Sequence, residues 1–336
     1  MTNTTANSYL SVIPGNLLKT PATSNINFSA GQTVANMVET SLVNKEITFY
    51  NAFGSTDVIA DLEGYVSPAT LPGYGLYNPI TPIRVADTRP NTFNAYSGKT
   101  LSPGSSLTVQ ITSVGQIPQQ NVLGVIANLT ITNTTQSGYL TAWNGLGPAL
   151  NTSVINWEKG QTISNRVVLY LSPTGTISFY NPYGNVDVIL DVVGYFTSSD
   201  NPSATGYSYN PLTTPIRLVD TRPNTNNTYS GKTLNTSNET LPVNIYSQIP
   251  LTAKAITANI TATNTTTWSY LTLWPANLTQ IPLSSDLNWV TANQTVSNFG
   301  DFLIGSSTTT PPNGYINITN AFGDVNVIVD IYGYYS

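Results

Sequence analysis

Residues 186–196 read VDVILDVVGYF. Val, Ile, Tyr and Phe dominate the stretch, and its two aspartates stand four positions apart, which on an extended chain of period two puts both on one face. The phrase recurs as TDVIADLEGYV at 56–66 and as VNVIVDIYGYY at 325–335. Other segments, such as VIANLTITN at 125–133 and TISFYN at 176–181, are equally short and alternate apolar with polar residues. Turn clusters such as NAFGST, SPTGT and PPNGY lie between them. No stretch holds a helical period over the length of a helix. The chain is therefore predicted to be all-β, built of tandem antiparallel β-sandwich domains of jelly-roll-like type.

Working outward, the phrase closes a block that occurs three times. Each copy starts at Asn-Thr-Thr (Asn3, Asn133, Asn264) and passes Tyr-Leu (Tyr9, Tyr139, Tyr270). It then reaches a short phrase ending in an aromatic (Phe28, Trp157, Trp289), followed by GQT, GQT or NQT. A leading block occurs twice, as TPIRVADTRPNT from Thr81 and TPIRLVDTRPNT from Thr214. Arg84 and Arg217 are 133 positions apart, so the complete unit is about 130 residues, too long for one propeller blade or trefoil lobe. Two stretches rich in Pro, Gly and Ser, SPATLPGYGLYNP at 67–79 and TSSDNPSATGYSYNP at 197–211, read as linkers. The expected division is an orphan second half at 1–66 and full repeats at 67–197 and 198–336.

Composition narrows the function. Of 336 residues, 40% are hydrophobic but 8% are charged, so the surface must be coated with Thr, Ser, Asn, Tyr and Gln, as in secreted and cell-surface proteins. The net charge of −5 argues against a nucleic-acid partner. Without Cys or His there is no disulfide, no thiolate metal site, and neither the commonest general base nor a Cys nucleophile. No cofactor is expected, nor an enzyme. No apolar run approaches the roughly 20 residues of a membrane helix.

The phrases PIRVADTR, GKTL, ANLTITNTT, YLTAW, INWEKGQTISN and ISFYNPYGNVDVILDVVGYF, in that order and spacing, resemble the tandem secreted β-repeat modules of about 130 residues found in actinobacterial and Chloroflexi cell-surface proteins. The resemblance spans essentially the whole chain and implies an extracellular, multi-copy module without a catalytic activity of its own. The first copy departs from the pattern, since its leading half is missing.

Charges that recur in so uncharged a chain need a reason. Arg84, Asp87 and Arg89 return as Arg217, Asp220 and Arg222, and Asp61, Asp191 and Asp330 close the three copies. These are read as structural ion pairs locking the leading half onto the second half, with Asp61 left without its Arg; an unpaired buried partner would cost roughly 3–5 kcal/mol. Asp57 with Asp61, and Asp187 with Asp191, are the weaker alternative of a calcium pair, which Asn326 in the third copy counts against. Acceptor sequons for glycan attachment include Asn3, Asn27, Asn128, Asn133, Asn235, Asn264, Asn277 and Asn317. Trp143 and Trp274, like Trp157 and Trp289, align with other apolar groups and read as core. Trp268 aligns with Ser137 beside the Asn-Thr-Thr turn and is the candidate for stacking on a sugar ring.

Two functions are expected from these features. The first is a non-enzymatic structural protein that self-associates head to tail through its incomplete N-terminal repeat, a neighbour supplying the missing half of a filament or surface layer. The alternative is a carbohydrate-binding or adhesion module using exposed aromatics. Partners are then copies of the chain itself or surface glycans, at an extracellular or cell-surface location.

Overall fold

The structure is a computed structural model, and it describes residues 1–15, 23–66, 75–149, 152–201, 204–235, 237–305 and 314–336. Nineteen strands and a single 3-10 turn at Ile245–Ser247 account for its regular structure, so the fold is all-β. The first copy contributes β1 (Ser8–Pro14), β2 (Ile26–Phe28) and β3 (Ile47–Asn51). The second repeat contributes β4 (Gly75–Asp87), β5 (Ser105–Gln110), β6 (Val122–Thr132), β7 (Gly138–Trp143), β8 (Ile155–Trp157), β9 (Ile163–Tyr170), β10 (Thr176–Asn181) and β11 (Asp187–Ser198). The third contributes β12 (Tyr209–Asp220), β13 (Glu239–Asn244), β14 (Ala255–Thr263), β15 (Ser269–Pro275), β16 (Leu287–Trp289), β17 (Val296–Leu303), β18 (Tyr315–Asn320) and β19 (Asn326–Tyr335).

Each full repeat is a sandwich of two four-stranded sheets, ordered β4-β11-β6-β9 over β5-β10-β7-β8 and β12-β19-β14-β17 over β13-β18-β15-β16. Alternation along the strands fills the space between. Val188, Leu190 and Val192 of β11 point in with Val125, Ala127 and Leu129 of β6, meeting Phe179, Ile177 and Trp157 from the opposite sheet. The closing phrase of the repeat thus forms the central strand of its sheet, β11 lying between β4 and β6 and β19 between β12 and β14. The leading half supplies β4 to β6, so neither sandwich closes without it.

The expected linkers are partly strand. Residues 67–74 lie outside the described residues, but Gly75–Pro79 already runs within β4, with Gly75 opposite Ser198 and Tyr77 opposite Phe196. Tyr77 is buried, and its ring lies 5.3 Å from that of Phe196. Gly194 makes room for it, since a Cβ there would stand 2.3 Å from the Tyr77 ring.

By Cα packing, Met1–Ile59 and Asn210–Ser336 form one compact unit and Ala60–Tyr209 a second. In the first unit the incomplete copy is a three-stranded sheet, β2-β1-β3, in which the core-facing side chains of β1 and β2 are covered: Leu10, Val12, Ile26 and Phe28 are buried with Met1. It lies on the outer face of the third repeat through the amides of half-buried Asn36 and buried Asn25. Asn36 donates to Asn259 Oδ1 at 3.2 Å and accepts from the Phe299 amide of edge strand β17 at 3.0 Å. Asn25 donates to the Tyr332 hydroxyl at 3.0 Å, and burial pushes that hydroxyl's pKa up to about 12. The second-half phrase that follows differs from its counterparts. Residues 58–66 form no strand, and Val58, Ile59, Leu62, Tyr65 and Val66 are exposed. The apolar exposure expected of a half-sandwich is therefore real, but it sits on β3 and after it, not on β1 and β2. A head-to-tail homopolymer would need a neighbour with a leading half to give; both leading halves of this chain are built into their own sandwiches.

Candidate functional site

The recurrent Asn-Thr-Thr is a fastening turn. Asn3, Asn133 and Asn264 sit at φ 52, 53 and 52°, the left-handed region that asparagine tolerates. Their side chains donate to Asp57 Oδ2 (2.7 Å), Asp187 Oδ2 (2.8 Å) and Asn326 Oδ1 (2.9 Å). The first threonine of each trio donates across to the Gln-Thr loop, as from Thr134 to the Glu158 and Gln161 carbonyls. The second accepts a backbone N–H from the turn after the last hairpin strand: Ser55 on Thr5, Asn185 on Thr135 and Asp324 on Thr266.

The charged residues form two pins per repeat. Asp191 faces Arg84 across the β4–β11 ladder and takes Nε at 2.9 Å and Nη2 at 3.0 Å, a bidentate pair. Arg217 and Asp330 repeat it at 2.8 and 3.0 Å. Asp87 and Asp220 are held in the same way by Arg89 and Arg222, two residues on in the chain. Burial works to raise the pKa of Asp87 and Asp220, but the hydrogen bonds and charge of Arg89 and Arg222 outweigh it and hold both below the usual carboxylate range. For Asp191 and Asp330 burial wins, and their pKa values are raised despite the guanidinium. The Arg84–Asp191 and Arg217–Asp330 pairs thus tie the leading half to the closing strand, whereas the Asp87–Arg89 and Asp220–Arg222 pairs, expected to do the same, lie within the leading half. Asp61, whose copy has no leading half, is exposed.

Asp187 is caged rather than open to a metal. It accepts from Thr88 Oγ1 (3.0 Å), Thr100 Oγ1 (2.7 Å) and Asn133 Nδ2 (2.8 Å). In the third repeat Asn326 fills the same cage, donating to the Thr221 carbonyl (3.0 Å) and Thr233 Oγ1 (2.9 Å) and accepting from Asn264. Hydroxyl groups rotate between donor and acceptor, so the cage takes either residue. Asp187 and Asp191 accept from separate sets of donors, which take up the carboxylate oxygens a shared cation would need. Among the described residues no group of three or more acidic side chains is placed to hold a metal ion.

The exposed aromatics gather at a third feature. The last hairpin strand of each copy ends in Asn-Ala/Pro-Phe/Tyr-Gly, where Asn51, Asn181 and Asn320 donate to the carbonyls of Gly54, Gly184 and Gly323. Those glycines lie at φ 67, 59 and 61°, and the residue before each, Phe53, Tyr183 or Phe322, is turned out to solvent. Beside it stands a strand tyrosine: the Tyr139 and Tyr183 rings are 6.0 Å apart edge-on, and Tyr270 and Phe322 are 6.4 Å apart at 84°. In the third repeat Trp268 joins them, 4.7 Å from Phe322 and itself 56% exposed. The sequence marks Trp268 but not its partners; the aromatic preceding glycine in NAFG, NPYG and NAFG is the signal that could have found them.

The other sequence candidates fall differently. Trp157, Trp274 and Trp289 are buried, and Trp143 is partly exposed. Asn128 lies inside β6 at 1% exposure and Asn317 inside β18 at 8%, so neither has room for a glycan in the folded chain. Asn3, Asn133 and Asn264 are exposed, but the amide nitrogen that a glycan would occupy is bonded to Asp57, Asp187 or Asn326. Asn235 and Asn277 are exposed and Asn27 is half-buried.

No protein-family model matches the chain. No curated protein matches it either. Among solved structures it is similar to the N-terminal CBM22-1–CBM22-2 tandem domain of Xyn10C from Paenibacillus barcinonensis, at a TM-score of 0.22 and 10% identity over 79% of this chain and 100% of that one. A likeness of that size carries no functional argument, and function is argued from the site alone.

Proposed function

We propose that the chain is a non-catalytic extracellular adhesion module that docks a saccharide on the aromatic platform of Trp268, Phe322 and Tyr270. The exposed Trp268–Phe322 pair carries this reading. An indole left in water in the bend that leads into β15 offers a flat apolar face to the C–H side of a sugar ring, and the hydroxyl-rich surface around it suits a polyhydroxylated ligand. The turn that presents Phe322 is fastened by Ser269 Oγ, which accepts the Phe322 amide at 2.8 Å, and by Asn320. The platform is thus built before any ligand arrives. The Tyr139–Tyr183 pair in the second repeat and Phe53 in the first copy lack an equivalent of Trp268, which makes the third repeat the strongest of three graded positions.

The test is a screen of the full chain against soluble polysaccharides and a glycan array, followed by titration of any ligand found. Trp268→Ala is expected to weaken binding by about tenfold or more, as loss of one stacking contact of about 1.4 kcal/mol or more implies, with an unchanged melting temperature. Binding untouched by the substitution, or no binding to any glycan, would remove the reading.

A further inference from the structure

The sheet of the first copy is one strand short. In the second repeat β5 fills the edge of β10, setting Leu107 opposite Phe179 and Val109 opposite Ile177. In the third, β13 fills the edge of β18, setting Leu241 opposite Ile318 and Val243 opposite Ile316. β3 has β1 on one side and, among the described residues, no strand on the other. Its Ile47 and Phe49 stand 38% and 41% exposed, where their counterparts Ile177 and Phe179 are 1% and 0% exposed. The strand, ITFYN, contains no charge and no proline, the usual guards of a free edge.

We infer that the open edge of β3 accepts, in antiparallel register, an extended strand of leading-half type, with Leu-x-Val or its equivalent placed opposite Phe49 and Ile47. The two occupied edges in the same chain define that chemistry: an uncharged or weakly charged strand with apolar residues two positions apart on the core-facing side. A second folded copy has no such strand to give, because β5 and β13 are committed to their own sheets. Ladder hydrogen bonds to Ile47–Asn51 supply affinity, and the two apolar positions supply register.

The probe is a synthetic peptide of residues 103–112, PGSSLTVQIT, titrated into the full chain with amide hydrogen exchange as the readout. The expected result is saturable protection of amides within Ile47–Asn51 by about tenfold or more. It should be lost with a peptide carrying Leu107→Asp and Val109→Asp, and lost in the Phe49→Asp chain, whose exposed substitution leaves the fold intact by circular dichroism. Absence of protection at β3, equal protection by the substituted peptide, or protection that rises with protein concentration in the absence of peptide would each overturn the inference, the last by making a second copy the occupant. None of these outcomes involves Trp268, so saccharide docking stands or falls separately.

Discussion

At the level of single residues, the cages and pins explain why so few charges recur. Asp187 and Asn326 hold equivalent places because their neighbours are hydroxyls and an amide that serve either partner. Asp187→Asn is therefore expected to change stability by less than about 1 kcal/mol, whereas Asp187→Ala, which strands the buried Thr88 hydroxyl and two further donors, should cost about 1–3 kcal/mol; urea unfolding of the two variants checks the difference. The Arg pins predict a response to acid. Asp87 and Asp220 have folded pKa values depressed below the usual carboxylate range, so the stability they contribute is present at neutral pH and is lost as pH falls through those depressed values. Asp191 and Asp330, raised by burial, run with the opposite sign. A chain with Asp87→Asn and Asp220→Asn should accordingly show a shallower fall in unfolding free energy below about pH 4 than the parent chain, whatever its stability at neutral pH. The pairing of Arg84 and Arg217 with the closing Asp was legible from recurrence alone. The partners of Asp187 were not, because Thr88, Thr100 and Asn133 are separated in sequence and are joined by the ladder.

Among the elements, the closing phrase gives the sharpest lesson. TDVIADLEGYV and VDVILDVVGYF share their pattern, yet Asp187–Ser198 is a twelve-residue strand while residues 58–66 form none. A strand with one sheet face and both edges unpartnered gains neither ladder bonds nor burial, so pattern without neighbours yields extended chain. Period-two reading located the strands but could not say which neighbours each would find. It also stopped too early at Gly75–Pro79, where proline and glycine suggested a linker and an otherwise irregular segment became the first turn-free run of β4. The close approach of Tyr77 to Gly194 makes a specific prediction: Gly194→Ala drives a methyl into that ring and should destabilise the second repeat by about 1–3 kcal/mol, seen as a lower denaturation midpoint with the first compact unit unaffected.

Over the whole molecule, the repeat in the sequence and the compact unit in space are different divisions. The first copy is grouped with the third repeat by amide contacts from Asn25 and Asn36, and nothing in the repeat pattern announces them, since Asn36 has equivalents, Asn165 and Asn298, that bond within their own copies. The all-β class was readable; the surface that the first copy leaves open was not, because β1 and β2 found cover and β3 did not. The proposed saccharide platform is tested at this scale too, as Trp268→Ala is expected to weaken binding without touching either core.

The pairing of β4 with β11 has a mechanical consequence. These are the first and last strands of the second repeat, and Gly75 faces Ser198, so a pull on the two chain ends enters the ladder at one corner and peels it bond by bond instead of shearing all of it at once. Single-molecule stretching of the repeat should show yielding at low force from that corner, arrested where Arg84 grips Asp191; in an Arg84→Ala chain the arrest should vanish. A repeat built in this way gives under tension and then catches.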